Sequence, residues 1–245
     1  MILLAIDSAG ESSSAAVWDQ ARPVPQGLLA FRVLEPARGH AERLIELVEA
    51  VLADAGLRYV ALGALAVNHG PGSFTGLRSA VAAARALALA ANLGVIAVSS
   101  LEALACGLRP HPLGEVLAAL DARRGEVYAQ RFGPDLRPRP GPLGVARAMP
   151  PQDAAAWAVA EPMAGPLRLV GSGAPLIQAQ LPAGVAAVIE TVQPDARLVA
   201  LGAARRLAAG ERPVAGFAVR PLYLREPNAR PPAPLLARTR AVAAR

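Results

Sequence analysis

At 245 residues, 53% hydrophobic and 18% charged, the chain is too apolar for a disordered protein, and it is long enough for one large domain or two of roughly 100–150 residues. Its net charge of +6 and pI of about 10.8 come from arginine alone, because the sequence holds no lysine. That excludes a Walker A loop, Schiff-base chemistry on a side-chain amine and a protein-kinase site. The basic balance permits contact with nucleic acid or an acidic partner, although the arginines are spread along the chain. The single cysteine, Cys106, excludes an intramolecular disulfide and reads as a small core residue.

Taken in order, the chain opens on an apolar run, Ile2 to Ile6, that ends in Asp7. No basic region precedes it, so no signal peptide is expected. A turn rich in Ser and Gly follows, then strands over Ser13–Trp18 and Leu28–Leu34, joined as a meander. Leu44, Leu47, Val48, Val51 and Leu52 recur at helical spacing, which predicts an amphipathic helix from His40 to Gly56. Leu62–Val67 reads as a strand buried on both faces. A helix through Ala91, a strand over Val95–Val98 and a helix from Ser99 or Ser100 come next. Arg85, Asn92, Gly94 and Glu102 interrupt this apolar stretch, so it reads as separate elements of a soluble cytoplasmic protein rather than a membrane span.

The second half repeats the theme. Val116–Leu120 again ends in an aspartate, Asp121, and is followed by the turn Ala122-Arg123-Arg124-Gly125 and a strand over Glu126–Phe132. Proline and glycine crowd residues 133–151 around one short strand. A helix over Gln152–Ala160, a strand over Leu167–Val170, a helix over Ala174–Gln180, a strand over Val185–Ile189 and a helix capped by Asp195 complete it. Pro221–Arg225 reads as a short docked segment and 226–245 as a mobile tail. The order β-β-β-α-β-α-β-α is that of ribonuclease-H-like folds. It predicts two α/β lobes, residues 1–105 and 106–225, with helix 195–208 free to pack back on the first.

Between two of these elements lies Asn68-His69-Gly70-Pro71-Gly72-Ser73-Phe74-Thr75-Gly76-Leu77-Arg78, a glycine-rich turn entering a small-residue helix. Glycines there permit positive φ or a very close neighbour. Ser73 or Thr75 can cap the helix, whose free N–H groups favour an anion or an acidic partner. A tightly packed turn without a ligand fits equally well. The stretch resembles the signature of the TsaB (YeaZ) family. Ile6-Asp7-Ser8, Arg38 to Glu42, Ser99 to Leu104, Asp121 to Tyr128 and Pro221 to Arg225 resemble the family's other landmarks, in the right order.

This resemblance implies a two-lobed actin-like fold and a non-catalytic subunit needed to make N6-threonylcarbamoyladenosine in tRNA. The implied partners are a TsaD-like transferase subunit, which carries the metal, and a TsaE-like ATPase subunit, with tRNA reached through the complex. A homodimer through the same face is left open, as is ATP or ADP at the partner interface; no intrinsic cofactor and no membrane are expected. The implied partner face is the first two helices of the first lobe. On it His40, Leu44, Leu47, Val48, Val51, Gly76, Arg78, Ala80, Ala83 and Leu87 are the candidate residues, with the motif loop His69 to Thr75 beside them. Asp7, Ser8, Asp121, Arg123, Gly171 and Gly173 mark a vestigial nucleotide cleft.

The residues themselves agree with a non-catalytic role. His40, His69 and His111 have no metal-ligand spacing, and no dense cluster of Asp, Glu and His exists. Asp-Ser-Ala-Gly-Glu replaces the Asp-x-Gly-Thr turn of active actin-like ATPases, and Glu11 would repel a phosphate. A glycoprotease-type peptidase remains the rival, but Gly72-Ser73-Phe74-Thr75-Gly76 is not Gly-x-Ser-x-Gly. A ribonuclease-H-like nuclease would need several carboxylates around two metals, and strand four ends in Asn68-His69 instead.

Overall fold

The computed structural model describes residues 1–35, 40–108, 114–137, 144–160 and 165–225, with the backbone alone for 40–42. The anticipated tail after Arg225, His111 and the Arg38-Gly39 landmark lie outside these described residues.

The first half comprises β1 (Ile2–Asp7), β2 (Ser13–Asp19), β3 (Leu28–Leu34), α1 (His40–Asp54), β4 (Leu62–Asn68), α2 (Phe74–Ala91), β5 (Gly94–Val98) and α3 (Ser100–Gly107). The second comprises β6 (Val116–Arg123), β7 (Glu126–Phe132), β8 (Arg147–Met149), α4 (Pro151–Ala158), β9 (Leu167–Val170), α5 (Ala174–Gln178), β10 (Ala187–Glu190) and α6 (Ala196–Ala208). A two-residue strand, β11 (Val214–Ala215), follows. β11 was not anticipated, since two residues carry no periodicity; it adds antiparallel to the edge of β5.

The two sheets have the same topology. One runs β11-β5-β4-β1-β2-β3 and the other β10-β9-β6-β7-β8. Without β11, each is an antiparallel meander whose first strand also pairs parallel to the fourth. This is the ribonuclease-H-like order in duplicate, so the halves are structurally related although their sequences show no evident identity.

Period-two alternation explains how the first sheet is covered on both faces. Leu4, Ile6, Leu65 and Val67 point to one side, where they pack with α1 and α2. Leu3, Ala5, Ala64 and Ala66 point to the other, where they meet Ala196, Val199, Ala200 and Ala203 of α6. The second sheet is covered by α4 and α5 on one face. Its other face packs on Leu101, Leu104 and Ala105 of α3. Each half therefore lends its last helix to the other half's sheet. Alanine and glycine make this possible at close range: a Cβ on Gly202 would lie 2.9 Å from Val98, and one on Gly107 2.9 Å from Leu198. Cys106 is buried in this seam, as its reading as a core residue anticipated.

Candidate functional site

The motif loop joins β4 to α2, and its glycines are used for contact rather than for reach. A Cβ on Gly72 would lie 2.4 Å from the Ala9 carbonyl, and one on Gly76 only 1.8 Å from that of Ser8. Both carbonyls belong to the β1–β2 turn, and the Ser73 N–H donates to Ala9 O at 2.7 Å. Gly70 has φ +116° and passes so near Leu222 that a Cβ would meet its carbonyl at 2.7 Å. Pro71 is buried, and its carbonyl accepts from Ser100 Oγ at 2.7 Å. Ser73 caps α2, its Oγ accepting the Gly76 N–H at 3.3 Å.

His69 is a satisfied loop histidine. Its Nδ1–H donates to Arg220 O at 3.1 Å and its carbonyl accepts from Leu222 N–H at 2.7 Å. Burial holds its pKa below the ordinary histidine value. With Ser73 engaged as a helix cap and His69 holding this strap, no serine–histidine pair is assembled in the loop.

The strap, Arg220 to Arg225, bridges both halves. Tyr223 lies against Phe74, ring centres 5.5 Å apart, and accepts from Arg78 Nε at 3.1 Å. Arg78 also stacks over Phe74 at 3.8 Å. Arg225 donates to the carbonyls of Ala122 and Arg123 and to the Glu126 carboxylate in the β6–β7 hairpin. Sequence reasoning found the docked segment but missed its partners, because contacts across more than 100 residues leave no local pattern.

The anticipated cleft residues do converge, but not into a nucleotide site. Asp7 is 2% exposed, and burial pushes its pKa up to about 7. The Ala9 N–H, donating to Oδ1 at 3.2 Å, and the neighbouring Asn68 amide partly offset this, while nearby Asp195 adds to it. Asn68 is fully buried; its Oδ1 accepts from Gly70 N–H and Ser100 Oγ, both at 2.9 Å, and its Nδ2 makes no close hydrogen bond. Ser8 Oγ pairs with Ser13 Oγ at 2.7 Å. Across the mouth, Arg123 bridges Glu11 and Asp121 at 3.5 Å each. Gly171 and Gly173 press on the Ala119–Leu120 backbone, and Ser172 Oγ accepts from Asp121 N–H. A buried carboxyl, a carboxylate at the mouth and glycines already filled by neighbouring backbone do not fit ATP or ADP held within this chain.

The helix face requires a correction. Leu44, Leu47, Val48 and Val51 were expected at the partner interface, yet all are at most 7% exposed, as is Ala80. An i, i+3, i+4, i+7 stripe is the stripe a helix turns towards its sheet, so these residues build the core. Ala83 and Leu87 are half-buried against the same core, and Gly76 is half-buried against Ser8. Of the candidates whose side chains are described, Arg78 is exposed; the His40 side chain lies outside the described residues. What sequence missed is the opposite stripe of α2. Ala82, Ala86, Leu89 and Ala90 are all exposed, Leu89 at 86%, and none is charged. The signal was the run of alanines, whose outward members periodicity alone does not identify. This helix is long and apolar enough to cross a membrane, but its inner face is the core of the first half.

Comparison with known proteins adds a lineage. Residues 34–137 match the family model of TsaD, tRNA N6-adenosine threonylcarbamoyltransferase. An uncharacterized protein of Mycobacterium tuberculosis is 34% identical over 231 residues, 94% of each chain. The Escherichia coli tRNA threonylcarbamoyladenosine biosynthesis protein TsaB is 40% identical over 136 residues, and the match spans only 56% of that protein. Among solved structures, YeaZ from Pseudomonas aeruginosa superposes with a TM-score of 0.72 at 30% identity, covering 91% of this chain and 99% of the other.

Proposed function

Since this chain belongs to the TsaB (YeaZ) family, we propose that it serves threonylcarbamoylation of adenosine in tRNA as a non-catalytic subunit that supports a TsaD-like transferase. The observation that carries the partner role is the uncharged outer stripe of α2, Ala82, Ala86, Leu89 and Ala90. Small side chains let a second helix approach closely, and an exposed leucine gains by being covered. The match to the transferase model spans α1 and α2, so the partner presents helices of the same kind. Pairing of like helices also accommodates a second copy of this chain when the transferase is absent. In this reading a TsaE-like ATPase joins the assembly, ATP or ADP binds at the seam between subunits, and the complex works in the cytoplasm.

Ala86→Arg, placed on the outward stripe, tests this. The variant should keep its circular dichroism and lose at least tenfold in affinity for the transferase by titration calorimetry. Reconstitution with transferase, ATPase, threonylcarbamoyl-adenylate and tRNA should then show modification that requires the wild-type chain and fails with the variant. Modification that proceeds equally well without the chain would overturn the reading.

A further inference from the structure

The outward face of α2 carries one charge. The helix holds two arginines and no acid. Arg85 is half-buried and donates to the Val219 carbonyl. Arg78 is exposed, on the ridge that runs at steps of four residues from Phe74 through Arg78, Ala82, Ala86 and Ala90. Apart from this cation the ridge is apolar. The guanidinium is held in place from within the chain: it sits 3.8 Å over the centre of the Phe74 ring, and its Nε donates to the Tyr223 hydroxyl at 3.1 Å. Tyr223 lies against Phe74 in turn and is fixed by the strap, where the Leu222 N–H donates to His69 O at 2.7 Å. The two terminal nitrogens of Arg78 meet no acid among the described residues. Phe74 and Tyr223 stay 52% and 45% exposed, so the cluster is open to a partner.

We propose that Arg78, held by Phe74 and Tyr223, is the specificity-determining contact of this face: it pairs with a carboxylate on the facing helix of the transferase and disfavours a second copy of this chain, whose α2 offers no acid. The inference rests on the partner reading above and deepens it. A guanidinium fixed in advance loses little freedom on pairing, and its fork matches a carboxylate. Covering it without an acid strands a charge in a drying interface, which penalises a helix that cannot answer it. Arginine and tyrosine are also the residues on which binding energy concentrates at interfaces. The small outer residues of α2 thus let any close-packing helix approach, while Arg78 sets which helix stays.

The test measures affinity of the full chain for the transferase by titration calorimetry across a salt series, and self-association by sedimentation, with circular dichroism to check folding. Arg78→Gln should weaken transferase binding about tenfold or more and flatten its salt dependence, while self-association holds or tightens. Arg78→Glu should weaken it further. Arg78→Lys should recover part of it, since an ammonium keeps the charge without the fork. Tyr223→Phe removes the hydroxyl that orients the guanidinium and keeps the ring; it should cost less than Arg78→Gln and leave the salt dependence in place. Equal losses in Tyr223→Phe and Arg78→Gln, with the salt dependence unchanged in both, would make the role of Arg78 structural and overturn the proposal. So would self-association that weakens as much as transferase binding, or an Arg78→Gln variant that loses a labelled tRNA transcript and keeps the transferase. Ala86→Arg should lose both pairings. If it does and Arg78→Gln changes neither, this inference fails and the partner face stands; if Ala86→Arg keeps the transferase, the partner face fails and this inference with it.

Discussion

Asp7 ends the first strand, buried among the Ser8–Ala9 backbone, the Asn68 side chain and nearby Asp195 rather than in solvent. Its carboxyl titrates near pH 7 in the folded chain and near 3.8 when unfolded. Ionising it inside the protein therefore costs on the order of 4 kcal/mol relative to the unfolded state. The sign follows directly: between about pH 4 and pH 7 the folded state holds a proton the unfolded chain has released, so stability falls as pH rises. Melting temperature should drop from about pH 5 to pH 8 in the wild type, and stay flatter and end higher in Asp7→Asn. Gly76 and Gly10 form a second contrast at this scale. Gly76→Ala drives a methyl into the Ser8 carbonyl and should cost more than about 3 kcal/mol in urea unfolding, whereas Gly10→Ala meets nothing within 4 Å and should change stability by less than about 0.5 kcal/mol.

At the scale of elements, the strap and α2 are read by different chemistry. The strap is held by hydrogen bonds from His69, Arg78 and Arg225. His69→Ala removes one of them and should cost about 1 kcal/mol, seen as faster amide exchange over 220–225 with the sheets unaffected. Sequence reading served these elements unevenly. Strands β3, β7 and β9 were legible to the residue, because apolar runs bounded by turn residues leave little choice. The capped helices were equally plain: Asp195 accepts from both Arg197 and Leu198 N–H, as a cap must. Strand β10 starts at Ala187, two residues later than expected, and α5 stops at Gln178, because short weakly periodic segments are fixed by their sheet neighbours. The candidate site was half legible. Glycine spacing pointed to close packing at 70–76. Yet the apolar stripe of α1, expected at a partner face, belongs to the core, since a hydrophobic stripe names a buried face without naming what buries it.

For the whole molecule, the two halves are coupled by exchange of helices more than by surface charge. The Glu11–Arg123 pair is exposed on both sides and contributes little. The apolar packing of α3 on the second sheet and α6 on the first is what joins them. Calorimetry should therefore show one cooperative transition rather than two, and Glu11→Ala should leave it whole.

That exchange also sets the order in which a growing chain can be finished. The face of the first sheet made by Leu3, Ala5, Trp18, Ala64, Ala66 and Ile96 is covered by α6, which is synthesised about a hundred residues after β5. At about 5–20 residues per second, that face waits roughly 5–20 s on the ribosome for its cover. A nascent first half is thus a sheet with one greasy side bare, prone to aggregate when translation stalls before Ala208.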